Sequence, residues 1–322
     1  TSRAETNNKQ NQSTNMVNEV ITDRYAIYNS DCVDAMQQIP DAKIDMSIFS
    51  PPFENLYCYS DSPKDLGNCK THDEFFTHFG FVVEQLARII KPGRNCCVHC
   101  MDIPAMKERD GYIGIKDFSG DIIRLFQSHG FIYHSRHTIW KDPLIEATRT
   151  KAIGLMHKQL VKDSIMSRAG LPDYVLTFRN AGKNEVPITH EEGLTKYCGS
   201  KDPTQGFSGI QISHNIWRAY ASPVWGDIRQ TNTLNARIAR GDDDEKHLCP
   251  LQLDVIERAC VLWSNPGEVV FTPFMGVGSE CYGALITGRK AIGVELKTAY
   301  YNQAVKNLAN AESGQGVMMS LI

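Results

Sequence analysis

Nine residues constrain this chain more than any others: Asp45-Met46-Ser47-Ile48-Phe49-Ser50-Pro51-Pro52-Phe53. The run starts as a buried strand and stops at two prolines and an aromatic ring. A proline has no N–H to give a sheet ladder, so Pro51 and Pro52 end the strand. The residue before each proline is held extended, which stiffens the tip. A rigid tip at the carboxyl end of a strand is where open α/β sheets hold their ligands. This one would present the Ser50 hydroxyl, the Pro51 carbonyl and the flat face of Phe53. Two hydrogen-bond acceptors beside a stacking surface suit a planar ring that carries an exocyclic amine.

A second stretch, Val269-Val270-Phe271-Thr272-Pro273-Phe274-Met275-Gly276-Val277-Gly278-Ser279, leaves a strand, turns through two glycines and enters a helix. Gly276 and Gly278 let the backbone approach a ligand where a side chain would block it. The next strand ends in Glu295, 17 positions after Gly278, where a carboxylate can accept hydrogen bonds from both hydroxyls of a ribose. A dinucleotide fingerprint would need a third glycine at the position of Cys281, which favours a cofactor with a ribose and no pyrophosphate.

Together the two stretches resemble the catalytic and cofactor motifs of DNA amino-methyltransferases, Ser-Pro-Pro-aromatic first and Pro-Phe-x-Gly-x-Gly last, as in the β group of that family. The resemblance covers most of residues 25–310. It implies an S-adenosylmethionine-dependent enzyme that methylates the exocyclic amine of a base in double-stranded DNA. By the same resemblance Ser50, Pro51, Pro52 and Phe53 are catalytic. Asp31 and Cys32 would lie at the cofactor's adenine and Glu295 at its ribose. Ser50, Pro273, Phe274, Gly276, Gly278 and Ser279 would line the remainder. His247 and Pro250 match a motif that opens the helix before the cofactor strand. The chain departs from the family in having Thr272 where aspartate is usual, and Phe53 where tyrosine is commoner.

Serine at the head of the catalytic motif goes with cytosine more often than with adenine. A hydroxyl both donates and accepts, so it could also touch the cytosine ring nitrogen. The expected target is the 4-amino group of cytosine, the alternatives being the 6-amino group of adenine, RNA or a protein glutamine. No Pro-Cys step occurs, which excludes the cysteine nucleophile of a ring-carbon methyltransferase.

The expected fold is α/β, a doubly wound and mostly parallel sheet with an irregular insertion. Residues 1–20 are polar and aperiodic and read as a disordered tail. Residues 21–179 form the catalytic half, in which Asp31 caps a helix over Val33–Ile39. Residues 180–244, rich in glycine, proline, serine and asparagine, read as an insertion with little regular structure, which the resemblance makes the target-recognition region. Residues 245–312 form the cofactor half, and 313–322 a second tail.

Net charge is −3, so phosphates must be met by local basic residues. The candidates are Arg149, Lys151, Lys158, Lys162 and Arg168, joined in the insertion by Trp217, Arg218, Trp225 and Arg229. Ten cysteines without disulfide spacing and the lack of a membrane-length apolar run point to a cytoplasmic protein, and the resemblance implies one of the restriction-modification kind, for which a homodimer is allowed. The group Cys96, Cys97, His99 and Cys100 has no second pair at zinc spacing. It reads as buried thiols in a strand, without a metal.

Overall fold

A computed structural model of the chain describes residues 18–52, 69, 71–150, 156–165, 167–234 and 250–313. In chain order, β1 (Asn18–Ile21) and β2 (Tyr25–Asn29) form an antiparallel pair, and α1 (Cys32–Gln37) follows. Next come β3 (Met46–Phe49), the long helix α2 (His72–Ile89) and β4 (Asn95–Cys100). A small antiparallel pair, β5 (Ile103–Ala105) and β6 (Gly114–Lys116), flanks the one-turn α3 (Lys107–Asp110). Then follow α4 (Phe118–Ser128), β7 (Ile132–Ile139), α5 (Pro143–Thr150), α6 (His157–Lys162) and β8 (Asp173–Arg179). Beyond β8 lie α7 (Ile210–Tyr220) and β9 (Val224–Trp225). The last part holds α8 (Leu253–Trp263), β10 (Val269–Thr272), α9 (Ser279–Ile286), β11 (Lys290–Glu295) and α10 (Thr298–Glu312).

Among the described residues the main sheet has nine strands in the order β1-β2-β11-β10-β3-β4-β8-β7-β9. Every pairing from β2 through β4 is parallel, whereas β8 runs antiparallel to both β4 and β7. The chain crosses from β10 to β11 in one direction and from β3 to β4 in the other. The neighbours β10 and β3 therefore flank the switch point of the sheet, and a crevice opens beyond their carboxyl ends. Side chains pin the two strands at this point. Ser47 Oγ donates to the Phe271 carbonyl at 3.0 Å, and Asp45 accepts from the Val269 N–H at 2.9 Å.

Helices cover both faces, as expected of a doubly wound sheet. One core layer packs α8, α9 and α10, and the other packs α1, α2 and α4. Strand β4 feeds both: Cys97 points into the first layer, and Cys96, Val98 and Cys100 into the second. A strand buried on both faces reads as a near-continuous apolar run, which is how β4 reads. No helix among the described residues is long and apolar enough to cross a membrane.

Two expectations need correction. Residues 18–20, assigned to the tail, belong to β1, whose register against β2 runs from Asn18↔Asn29 to Ile21↔Ala26. The insertion is also more regular than its composition implies, because it carries α7 and supplies β9 as the outer strand beside β7. Trp225 explains the second result. Its ring is fully buried, stacks on His137 with centroids 4.3 Å apart and donates its indole N–H to the Tyr220 carbonyl at 3.0 Å. Arg258, buried on α8, lies over the same ring and donates to Asp227 and the Cys198 carbonyl, each at 2.6 Å. One deeply buried tryptophan is worth roughly 3–5 kcal/mol, enough to fasten a glycine-rich segment to the body.

Candidate active site

The two sequence motifs meet at the switch point. β10 lies directly beside β3, with Phe271 opposite Ser47, so the Ser50 tip and the Gly276 turn leave neighbouring strands at the same edge. Phe274 spans the seam, its ring 5.6 Å from that of the buried Phe49 and 6.4 Å from that of Phe79. Pro51 is buried at the strand end and Pro52 is half-buried.

On one side of this seam is a polar, partly open turn. Gly276 has φ +54° and open space where a Cβ would lie, so a ligand can approach its backbone. Its N–H donates to Glu295 Oε2 at 2.8 Å, and the Lys297 N–H donates to Oε1 at 2.8 Å. These two backbone donors hold the Glu295 carboxylate at the edge of the turn. Gly278, at φ +94°, serves helix packing as well: an added Cβ would stand 3.2 Å from the Ala304 Cβ of α10.

Asp31 caps α1, accepting from the Val33 and Asp34 N–H groups at 2.9 and 3.1 Å, while the half-buried Cys32 opens that helix. Asn29 and Ser30 bond back to the Glu295 carbonyl, drawing the Asp31 cap toward the same edge. The buried hydroxyls of Thr272 and Ser279 find no hydrogen-bond partner in the described protein. Orphaned buried hydroxyls beside an open glycine and a fixed carboxylate fit the ribose and amino-acid ends of S-adenosylmethionine. Beside them Glu280 is buried and carries no expected role. Burial, reinforced by the charge on Glu295, pushes its carboxyl up to about 8.

On the other side of the seam the structure assembles residues that the sequence motifs do not contain. Ser50 Oγ lies 2.9 Å from His99 Nδ1, and His99 Nε2 lies 3.2 Å from Asp173 Oδ2. The latter is a close charge contact whose N–H is not squarely aligned on the carboxylate. Lys141 pairs with the other oxygen of Asp173. Burial alone would raise the Asp173 carboxyl, but the Lys141 ammonium and the His99 imidazole outweigh it and hold it down to about 2.

Strand direction brings these four together. β3 and β4 end at this edge, the antiparallel β8 begins there with Asp173, and β7 ends there beside Asp173 at Ile139. His99 was grouped by sequence with its neighbouring cysteines, yet it turns toward Ser50 while burial pushes the Cys96, Cys97 and Cys100 thiols up. The signal that could have found it is a lone polar ring in an otherwise apolar strand.

The expected DNA contacts divide. Lys158 and Lys162 on α6 and Trp217 and Arg218 on α7 are exposed. Arg168 instead faces inward, donating to both Glu146 oxygens at 3.0 and 3.1 Å with a side chain only 9% exposed. Trp225 is likewise a core residue. Arg229 donates to the fully buried Asp254 at 2.5 Å and, through its backbone, at 2.8 Å. Composition shows charge and aromaticity but not the buried acid and the core pocket that Arg168 and Trp225 serve, while the Arg229 side chain stays 46% exposed beside its ion pair. Arg149 lies on α5, and Pro250 is half-buried just before α8. Phe53, Lys151 and His247 lie outside the described residues.

Residues 44–306 match a family model described as DNA methylase. The orphan methyltransferase M.BamHII of Bacillus amyloliquefaciens is 44% identical over 286 residues, a match spanning 85% of this chain and 92% of that protein. The type II methyltransferase M.BamHI of the same organism is 20% identical over 278 residues; the chain spans about half of its length, at 55%, from 85% of its own. A Thermus thermophilus protein described as a DNA modification methylase, solved with S-adenosyl-L-methionine, superposes with a TM-score of 0.61 at 19% identity, covering 90% of this chain and 97% of that one. At that identity the likeness is one of fold.

Proposed function

The chain belongs to the N6/N4 DNA methylase family, and from that premise we propose that it transfers a methyl group from S-adenosylmethionine to an exocyclic base amine in double-stranded DNA, preferring the 4-amino group of cytosine. The observation that carries this reading is the adjacency of β10 and β3, which sets the cofactor turn and the Ser-Pro-Pro tip side by side.

S-adenosylmethionine, when bound, supplies a sulfonium methyl as the electrophile. Glu295 would hold its ribose, and Thr272, Ser279 and the Gly276 backbone would face its remaining polar groups. The amine of a base is a poor nucleophile because its lone pair is delocalised into the ring. The protein therefore acts by orientation: acceptors at Ser50 Oγ and the Pro51 carbonyl take the two N–H groups and favour a pyramidal nitrogen with its lone pair free. Within a duplex that amine is stacked out of reach, so the base must be extruded, with Phe53 as its stacking face. Lys158, Lys162, Trp217 and Arg218 are the exposed groups proposed to meet the DNA.

His99 bears on which base is taken. Asp173 facing Nε2 favours the tautomer with its hydrogen on that nitrogen, and in that tautomer Nδ1 accepts from the Ser50 hydroxyl. In that tautomer Ser50 offers the base lone pairs only, whereas the expected contact from its hydroxyl hydrogen to the cytosine ring nitrogen goes with the other tautomer. The serine heading the motif is what still favours cytosine. Incubation of DNA with tritiated S-adenosylmethionine, followed by mass spectrometry of the nucleosides, tests the reading. N4-methylcytosine is expected, N6-methyladenine would move the target to adenine, and unlabelled DNA would overturn the activity.

A further inference from the structure

Ser50, His99, Asp173 and Lys141 come from four different strands or strand ends, yet they form one continuous line of polar contacts. His99 is only 9% exposed and Asp173 only 3%, so the line runs from the crevice into the protein interior. A buried polar group that merely filled space would need one partner. The Nδ1 of this imidazole is at hydrogen-bond distance from a hydroxyl at the crevice, and a carboxylate oxygen lies 3.2 Å behind its Nε2. We infer that His99, held by Asp173 and Lys141, is the positioning residue of a proton relay that draws the departing amine proton through Ser50.

The inference rests on the proposed methyl transfer, and the chemistry balances as follows. As the N–CH3 bond forms and the S–CH3 bond breaks, the positive charge passes from sulfur to the base nitrogen. That nitrogen must lose one N–H proton to become a neutral methylamine. Ser50 Oγ takes that proton while its own hydrogen moves to His99 Nδ1, so one N–H bond breaks at the base and one forms at the imidazole. The imidazolium lies against Asp173, whose charge stabilises it, and the proton passes to water before the next turnover. Lys141 has a separate task. By sharing Asp173 it balances the carboxylate's charge in the absence of substrate, when Nδ1 must remain an acceptor. A hydroxyl backed this way is a stronger acceptor as the nitrogen pyramidalises, so the benefit falls in the transition state rather than in binding.

Two variants separate a relay from a strut. His99→Ala removes the ring, and His99→Asn places an amide near the position of Nδ1, able to hold the Ser50 hydroxyl but unable to take a proton. In single-turnover transfer of tritiated methyl to DNA, both should fall by about 100-fold or more, with cofactor affinity by calorimetry and KM for DNA near wild type. Added imidazole should restore part of the rate to His99→Ala, and none to His99→Asn, whose side chain fills the space. If His99→Ala fails to fold, His99→Asn alone decides. A fully active His99→Asn alongside an active wild type overturns the relay and leaves the functional reading intact. Equal loss of cofactor affinity and rate in a folded variant also overturns it, since that marks a structural role. A wild-type protein that leaves DNA unmethylated sinks the functional reading and the relay together.

Discussion

The crevice edge has two halves that solve opposite electrostatic problems with buried carboxyls. On the acceptor side Asp173 is held down to about 2, although burial works against it, because Lys141 and His99 face it. On the cofactor side Glu280 is pushed up to about 8 by burial and by the neighbouring charge of Glu295, with no cation among the described residues to offset them. One half keeps a charge in place before substrate arrives; the other holds a neutral acid beside a turn with two orphaned hydroxyls. The acceptor half therefore balances its buried charge from within. The cofactor half is left under-satisfied, as expected of a surface completed by a bound cation.

The largest effect expected from breaking this division is that of Ser50→Ala. Loss of an acceptor placed for the transition state should lower kcat by about 100- to 1,000-fold while S-adenosylmethionine affinity, measured by calorimetry, stays within a factor of two or so. A matched loss of affinity would mean that the two halves are not separable.

The same division decides what could be read from the sequence. The cofactor half is local: the turn from Pro273 to Ser279 lies in a single run, and Glu295 ends the very next strand, so spacing alone exposes it. The acceptor half is not local. Ser50 was legible because two prolines announce a strand end, but His99, Lys141 and Asp173 become neighbours only through the antiparallel insertion of β8 between β4 and β7. Nothing in their local sequence signals that pairing. Apart from β1 and the small β5-α3-β6 unit, the strands and helices of the body were legible, most of them from an apolar period with a turn or cap at its ends. The insertion was not, because Trp225, Arg229 and Arg258 draw their structural value from partners far away in the chain.

Glu280→Gln sharpens the electrostatic contrast. A carboxyl whose folded pKa is raised from an ordinary value near 4.5 to about 8 binds more protons folded than unfolded between those limits. Its contribution to stability is therefore greatest at low pH and declines as pH rises toward 8. Asp173 does the reverse in another window: depressed from 3.8 to about 2, it stabilises above about pH 4 and loses that contribution only in acid. Of these two carboxyls only Glu280 should tilt the curve between pH 5 and 8.5, and the depressed His137, common to both proteins, cancels in the comparison. The glutamine variant should match wild type in thermal melting at pH 5 and exceed it by about 2–4 kcal/mol at pH 8.5. Parallel melting curves at both pH values would show that Glu280 finds a cationic or hydrogen-bonding partner after all.

Glu295→Ala tests the cofactor half more directly. The carboxylate accepts from two backbone N–H groups and is placed for a ribose, so its removal should weaken S-adenosylmethionine binding by about 2 kcal/mol, roughly 30-fold. The rate at saturating cofactor should change little. Glu295→Gln, which keeps one acceptor oxygen, should fall between the two. A variant that binds normally but turns over slowly would move Glu295 to the acceptor half and undo the partition.

The smallest change is the most discriminating. Thr272 is 1% exposed and its hydroxyl has no partner, at a position where the family commonly carries aspartate. Valine has the same shape without the hydroxyl. If that oxygen serves only the folded chain, Thr272→Val should relieve an unsatisfied polar atom and raise stability by about 1 kcal/mol with cofactor affinity untouched. If it waits for S-adenosylmethionine, stability should still rise, but affinity should drop by about five- to tenfold, one hydrogen bond's worth. Opposite signs for stability and binding in one variant are the mark of a group left unsatisfied for a ligand. Ser50 supplies the control, because its hydroxyl already has His99 as a partner: Ser50→Ala should leave cofactor binding alone and lower the rate, while Thr272→Val does the converse. A Thr272→Val protein with unchanged binding would place the loss of the family's aspartate among substitutions the fold absorbs by packing. The methionine end of the cofactor would then rest on Ser279 and the Gly276 backbone.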